Sequence, residues 1–267
     1  MLKDVTLGQY FPGDTLIHRL DPRTKLLVVM LYLIALFVAN SPLTLGIMTL
    51  FLVLMILTSK VNLRQMVRGL RPLVLILTVT GLLNMFLTPG EPLVTFWRLS
   101  ITWEGLARSI ILIVRIAMMV MSTFILTYTT APMALTDGLE KGMSPLRRIR
   151  VPVHELAMIM GAALRFIPTL IEETDKIINA QKARGADFET GNLVRRAKAL
   201  LPILIPLFMS AFRRADELAT AMESRCYHGS EGRTRMRQLK LERRDILADI
   251  AGVLLLGTVI SLVVIGL

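Results

Sequence analysis

The sequence predicts an all-α membrane protein with about five transmembrane helices and a cytoplasmic domain of amphipathic helices. Three observations carry this reading. The 267-residue chain is 54% hydrophobic with a mean hydropathy of +0.60, more apolar than an ordinary globular domain. It nevertheless has a formal net charge of +11, too basic for a chain buried throughout. The charge is also segregated: twenty Lys and Arg lie between Lys141 and Arg244, four in residues 1–25 and four from Lys60 to Arg71, whereas the Asn40 turn and the C-terminus have none. The positive-inside bias then puts the N-terminus and the stretch from about 132 to 243 in the cytoplasm, on the side where ATP is available.

Along the chain, the cytoplasmic N-terminal segment (1–25) contains Asp21-Pro22, an N-cap followed by a residue preset for a first helical turn. Arg23 and Lys25 are expected to hold the start of the first span at the headgroups. The membrane domain (26–131) holds four spans, Leu26 to Ala39, Leu43 to Leu57, Leu73 to Leu87 and about Leu106 to Tyr128. The first three are shorter than the ~20 residues that usually cross a bilayer core. Snorkelling Lys25, Lys60 and Arg71 would extend them. Asn40-Ser41-Pro42 separates the first two as a turn, and the loop from Thr88 to Glu104 carries only Arg98 as a cation.

Arg108 and Arg115 lie seven residues apart on one face of the fourth span. An arginine near mid-membrane costs roughly 2.5–3.5 kcal/mol on insertion scales, so Arg115 is expected to face other helices or a polar cavity. No Asp, Glu or His lies centrally in a span to form a proton relay, which argues against an ion-coupled carrier.

Residues 132–243 begin with a short helix near Pro132 to Leu146, capped by Thr130 or Ala131. Two long amphipathic helices follow. Leu156, Met160, Ala163, Ile167, Leu170 and Ile177 mark the apolar stripe of one; Leu200, Leu204, Leu207, Ala211, Leu218 and Met222 mark the other. Pro168, Pro202 and Pro206 are expected to kink these helices or split them into shorter rods. Such stripes suit the core of a soluble helical domain equally well, but here the chain returns directly to the membrane, in a C-terminal transmembrane helix over 244–267. Crossed helices under the membrane, with their tips in the cytosol, satisfy both facts.

The ends of these two helices repeat. Asp175-Lys-Ile-Ile-Asn-Ala-Gln-Lys-Ala-Arg-Gly185 and Asp216-Glu-Leu-Ala-Thr-Ala-Met-Glu-Ser-Arg-Cys226 align at an offset of 41 residues, pairing Ala183 with Ser224, Arg184 with Arg225 and Gly185 with Cys226. One arginine in a last helical turn, followed by glycine, is ordinary capping. Two at a fixed offset, each beside a small residue, suggest paired cationic pegs for a two-part partner. A guanidinium flanked by small side chains can enter a groove and engage a carboxylate with two hydrogen bonds.

Catalytic patterns are missing from the sequence. No Gly-Lys dipeptide occurs, so there is no Walker A loop, and any ATP hydrolysis belongs to another chain. His18, His154 and His228 lack metal-ligand spacing, and the single Cys226 excludes an internal disulfide. The arginines lack the interleaved aromatics of a nucleic-acid surface. A membrane-embedded enzyme acting on lipid or prenyl substrates is the alternative, and it would require convergent acids or a metal site near the interface.

Taken with Tyr10-Phe-Pro-Gly13, His18-Arg-Leu-Asp-Pro-Arg-Thr-Lys-Leu26 and Ala163-Leu-Arg-Phe-Ile-Pro168, the paired stretches Ala180-Gln-Lys-Ala-Arg-Gly-Ala-Asp187 and Ala221-Met-Glu-Ser-Arg-Cys-Tyr227 make the chain resemble the transmembrane T component of energy-coupling factor transporters. The resemblance runs through essentially the whole length. It implies a scaffold subunit in a bacterial or archaeal cell membrane, which transmits the movements of two ABC-type ATPase subunits to a separate substrate-binding S component that takes up a vitamin or other micronutrient. Residues 132–243 would be the coupling-helix domain. The six residues Ala183, Arg184, Gly185, Ser224, Arg225 and Cys226 would dock the ATPases, and ATP and Mg would be used by those partners, with no cofactor on this chain. Cys226 departs from the glycine usual in the second motif, which raises the question of whether that cap has the same geometry.

Overall fold

A computed structural model describes residues 10–266 of the chain, apart from 91, 97, 98, 187, 189–191 and 230–238. Arg98 and Asp187, named above, lie outside the described residues. The described elements are α1 (Pro22–Val38), α2 (Pro42–Ser59), α3 (Leu63–Gly69), α4 (Arg71–Leu87), β1 (Pro92–Phe96), β2 (Leu99–Thr102), α5 (Trp103–Thr129), α6 (Pro132–Gly142), α7 (Val153–Ala183), α8 (Leu193–Glu223) and α9 (Arg243–Ile265). They fall into two compact units, the first holding α1 to α5 and α9, the second α7 and α8.

In the first unit, helix starts follow the sequence closely. Asp21 accepts a hydrogen bond from the Arg23 amide at 2.9 Å with Pro22 in the first turn, and Ser41 and Thr44 form a reciprocal capping box. Thr102 caps α5 by accepting from the Gly105 amide at 3.1 Å. Helix α1 packs on α9, α4 on α5, and both α1 and α2 on α5. Within lipid these contacts rest on close packing rather than on water expulsion, so small residues matter at the crossings. A Cβ on Gly252 of α9 would meet Leu31 at 3.3 Å, and one on Gly81 of α4 would meet Ile113 at 2.9 Å. Tyr32, Leu36, Met48, Leu52, Met118, Ile125, Leu255 and Val259 fill the centre, with the Tyr32 hydroxyl donating to the Met48 carbonyl at 3.1 Å. Large apolar side chains point outward instead: Leu75 is 75% exposed and Val264 80%. A soluble domain hides such groups; a membrane protein presents them to acyl chains.

Several expectations change. Among the described residues α2, α5, α7 and α9 are each long and apolar enough to cross a membrane, and α3 with α4, bent by 58°, makes a broken fifth candidate. Helix α1 has 17 residues, ~26 Å at 1.5 Å per residue against a core of ~30 Å, so it falls just short. Helix α7 reaches the length and composition of a span although its sequence reads as cytoplasmic, because its first half is nearly free of charge; it is the least apolar of the four. The prolines split neither long helix: α7 runs unbroken through Pro168 and α8 through Pro202 and Pro206. The hairpin β1–β2, antiparallel with Phe96 opposite Leu99, adds two short strands to an otherwise helical fold. Nine β-compatible residues between spans give too short an alternation to be read as strands.

Lys25 does not snorkel. It is buried, and its ammonium donates to the carbonyls of Thr129 at 2.8 Å and His18 at 3.2 Å, joining the start of α1 to the end of α5. Beside it Asp245, also buried, accepts from the Asp21 amide at 2.8 Å and the Glu242 amide at 2.8 Å. One carboxylate thus caps α9 and ties α1 to it.

Arg115 faces the turn after α1, donating to the carbonyl of Ala39 and to Asn40 Oδ1 at 3.3 Å. Ala39 is the C-cap of α1, so the arginine satisfies an orphan carbonyl and meets the negative end of the helix dipole. Arg115→Leu is expected to cost about 1–3 kcal/mol, read as a lower thermal midpoint in detergent; an unchanged midpoint would contradict this role.

Candidate functional site

The site begins with two 31-residue helices that run antiparallel. Glu173 of α7 meets Arg214 of α8, Oε2 to Nη2 at 2.7 Å, and Met158, fifteen residues earlier on α7, lines one cavity with Met222 in the last turn of α8 and Arg225 to Gly229 just beyond it. Moving back along one helix therefore means moving forward along the other. Hydrogen bonds from Ser210 and Arg214 hold the Glu173 carboxyl below the usual carboxylate range. That contribution to stability is present at neutral pH and is lost as pH falls through the lowered value.

The two helix ends have the same cap. After α7, the Gly185 amide donates to the Lys182 carbonyl at 3.0 Å and the Ala186 amide to the Gln181 carbonyl at 3.0 Å, with Gly185 at φ 83°. After α8, the Cys226 amide donates to the Glu223 carbonyl at 2.9 Å and the Tyr227 amide to the Met222 carbonyl at 3.1 Å, with Cys226 at φ 54°. Each donor and acceptor of the second cap is the first shifted by 41 residues, a Schellman motif built twice. The departure at Cys226 leaves the geometry unchanged and places a non-glycine residue in left-handed backbone.

Left-handed conformation costs an L-residue roughly 1–2 kcal/mol, partly offset by the ~0.5–1 kcal/mol that glycine loses in unfolded-chain entropy. Cys226→Gly is therefore expected to tighten the second tip by about 0.5–1 kcal/mol, seen as slower hydrogen exchange at the Tyr227 amide. Faster exchange would contradict the strain at this cap.

All six predicted residues, Ala183, Arg184, Gly185, Ser224, Arg225 and Cys226, are exposed. The fold does not gather them into one pocket. Arg184 and Arg225 lie eleven residues beyond Glu173 and Arg214 respectively, ~16 Å away in opposite directions along the pair. The second tip is the more elaborate: Arg225 and Cys226 line a cavity of about 450 Å³ with Met158, Met222, Tyr227, His228 and Gly229. Met158, Glu173 and Arg214 were not singled out by the sequence reading. The offset of 41 contained the signal for the last two, since it aligns Glu172-Glu173 with Arg213-Arg214.

Set beside known proteins, residues 13–236 match the family model described as CbiQ, cobalt transport protein. The chain is 50% identical over 261 residues, 97% of its length and 98% of the relative's, to the energy-coupling factor transporter transmembrane protein EcfT of Thermosediminibacter oceani. It is 45% identical over 247 residues to the protein of that name in Lactococcus lactis subsp. cremoris, covering 92% of this chain and 93% of that one. The Brevibacillus brevis protein of the same name is 44% identical over 267 residues, 100% of this chain and 98% of its own.

Proposed function

The chain belongs to the CbiQ/EcfT family and is the transmembrane component of an energy-coupling factor transporter, and from this premise we propose that it couples two ATPases to a separate substrate-binding subunit through Arg184 and Arg225. It is a multi-pass membrane protein and a non-catalytic subunit; relatives that carry transport names do not favour a lipid or prenyl enzyme. Each arginine enters a groove on one ABC-type ATPase subunit, where its planar fork pairs with a carboxylate. ATP and Mg are used by those ATPases. As they close on ATP they draw the two tips together, and α7 and α8 pass the movement to an S component that releases a vitamin or related micronutrient inward.

The observation that carries this reading is the duplicated cap, which presents two exposed guanidiniums in the same local geometry. Charge supports the orientation. With the N-terminus and α7 in the cytoplasm, the twenty Lys and Arg from Lys141 to Arg244 stay inside. If α7 crossed the membrane, Arg184 and the twelve Lys and Arg after it would lie outside, against that bias. The exposed Leu201, Ile205, Phe208, Met209 and Phe212 of α8 offer an apolar face for the S component.

Affinity purification of the full-length chain from its native membrane, followed by mass spectrometry, tests the assignment of partners. Two P-loop ATPases and a small membrane protein are expected. Recovery of the chain without any ATPase would overturn it.

A further inference from the structure

The repeat that duplicates the arginine tips inverts its charge at several positions, among them Lys176 against Glu217 and Lys182 against Glu223, and at two consecutive ones in a single place. The equivalent dipeptides are Glu172-Glu173 and Arg213-Arg214, opposite in charge, whereas the neighbouring Thr169/Ser210 and Asp175/Asp216 pairs keep their chemistry. Contact falls at this doubled inversion. Glu173 and Arg214 are partners at 2.7 Å, and 214 is 173 shifted by the repeat offset of 41. Two antiparallel segments related by an approximate two-fold axis meet their own equivalents only where that axis passes between them. The ion pair therefore marks the axis, with Arg184 and Arg225 equidistant from it. A repeat with identical charges there would set two carboxylates or two guanidiniums together; the sign inversion turns that repulsion into a bidirectional lock between α7 and α8.

The pair is also the polar fixture in a lean contact. Much of α8 is exposed, including Leu200, Leu204 and Leu218 of its own stripe, so little apolar packing holds the two helices at one angle. The side chains of Arg214 and Glu173 are 31% and 26% exposed, sheltered enough for directional bonding and open enough to rotate. Ser210, one turn before Arg214, adds to it in favouring the ionised Glu173 carboxylate.

We propose that Glu173 and Arg214 are positioning residues that form the pivot of the α7–α8 pair and fix the distance between the Arg184 and Arg225 tips. The functional consequence, that both tips engage ATPases as one rigid span, rests on the docking reading above; the pivot itself does not.

The test uses the full-length chain in nanodiscs, with Cys226→Gly as background and spin labels on cysteines at the equivalent exposed positions Lys182 and Glu223. Each label site is nine residues from the pivot, which sets a separation of at most roughly 27 Å along the helices, with ~8–10 Å between their axes and the label tethers in addition. The background chain gives one narrow distance distribution. Glu173→Arg broadens it about twofold or splits it, Arg214→Glu does the same, and the two together restore the narrow peak. Glu173→Gln, which keeps shape and one hydrogen bond, broadens it less and covers the case in which charge reversal prevents folding. Single reversals as narrow as the background, or a double reversal as broad as the singles, would overturn the pivot. Because no ATPase is present, either result leaves the docking reading untouched, whereas failure of docking with a restored narrow peak would sink that reading alone.

Discussion

Replacing Arg184 and Arg225 together by alanine is expected to leave a folded membrane protein that no longer holds its ATPases. Both side chains are exposed, so the substitutions remove little from the chain's own packing. At an interface the same arginines would lose their solvent, and truncating one partner of a buried hydrogen-bonded charge pair typically costs about 2–5 kcal/mol. At 1.4 kcal/mol per tenfold, each single variant weakens docking by roughly thirtyfold to several thousandfold. Arg→Lys at either site retains the charge and loses the two-pronged bond, so it falls between wild type and alanine. Co-purification and substrate uptake in membrane vesicles read the loss, and an unshifted thermal midpoint confirms the fold.

The largest effect on stability is expected at Asp245, at the start of α9. Its buried carboxylate accepts from the amides of Asp21 and Glu242, and the negative field of Asp245 and Asp21 acts on the buried Lys25 ammonium. Asp245→Ala leaves the buried Asp21 amide and the part-buried Glu242 amide without this acceptor, and Lys25 with one fewer counter-charge. Breaking a buried ionic arrangement from one side typically costs about 3–5 kcal/mol, enough to lower the thermal midpoint markedly in detergent. Asp245→Asn keeps an acceptor for one amide and is expected to lose less. A midpoint unchanged in Asp245→Ala would remove this carboxylate from the account of how α1 and α9 are joined.

Much of this architecture was legible in the sequence, for reasons that differ by element. Asp21-Pro22 marks the start of α1 and Asn40-Ser41-Pro42 the turn before α2, because capping and turns are local chemistry, satisfied within three residues. The arginine tips were visible because a repeat survives as residue identity. Lys25 was misread because a lysine beside an apolar run looks the same whether it reaches headgroups or a carbonyl 104 residues away. Asp245 was opaque for the same reason, since its donors are set by helix packing; Arg115 was expected to face other helices, and packing alone selects the Ala39 and Asn40 acceptors. Helix α7 defeats hydropathy because its charge is concentrated from Glu172 onward, leaving an apolar first half that resembles a span. The Cys226 geometry could not be read from composition, since the backbone bonds of the cap, rather than the side chain, impose the positive φ.

Each of the two repeated tips is expected to touch an ATPase. Photo-crosslinking tests it most directly: a photoreactive amino acid is placed singly at Ala183 or Ser224 in the full-length chain, irradiated in native membranes, and the adducts are identified by mass spectrometry. An adduct to a P-loop ATPase is expected from each position. Adducts confined to the chain itself or to lipid at both positions would contradict it.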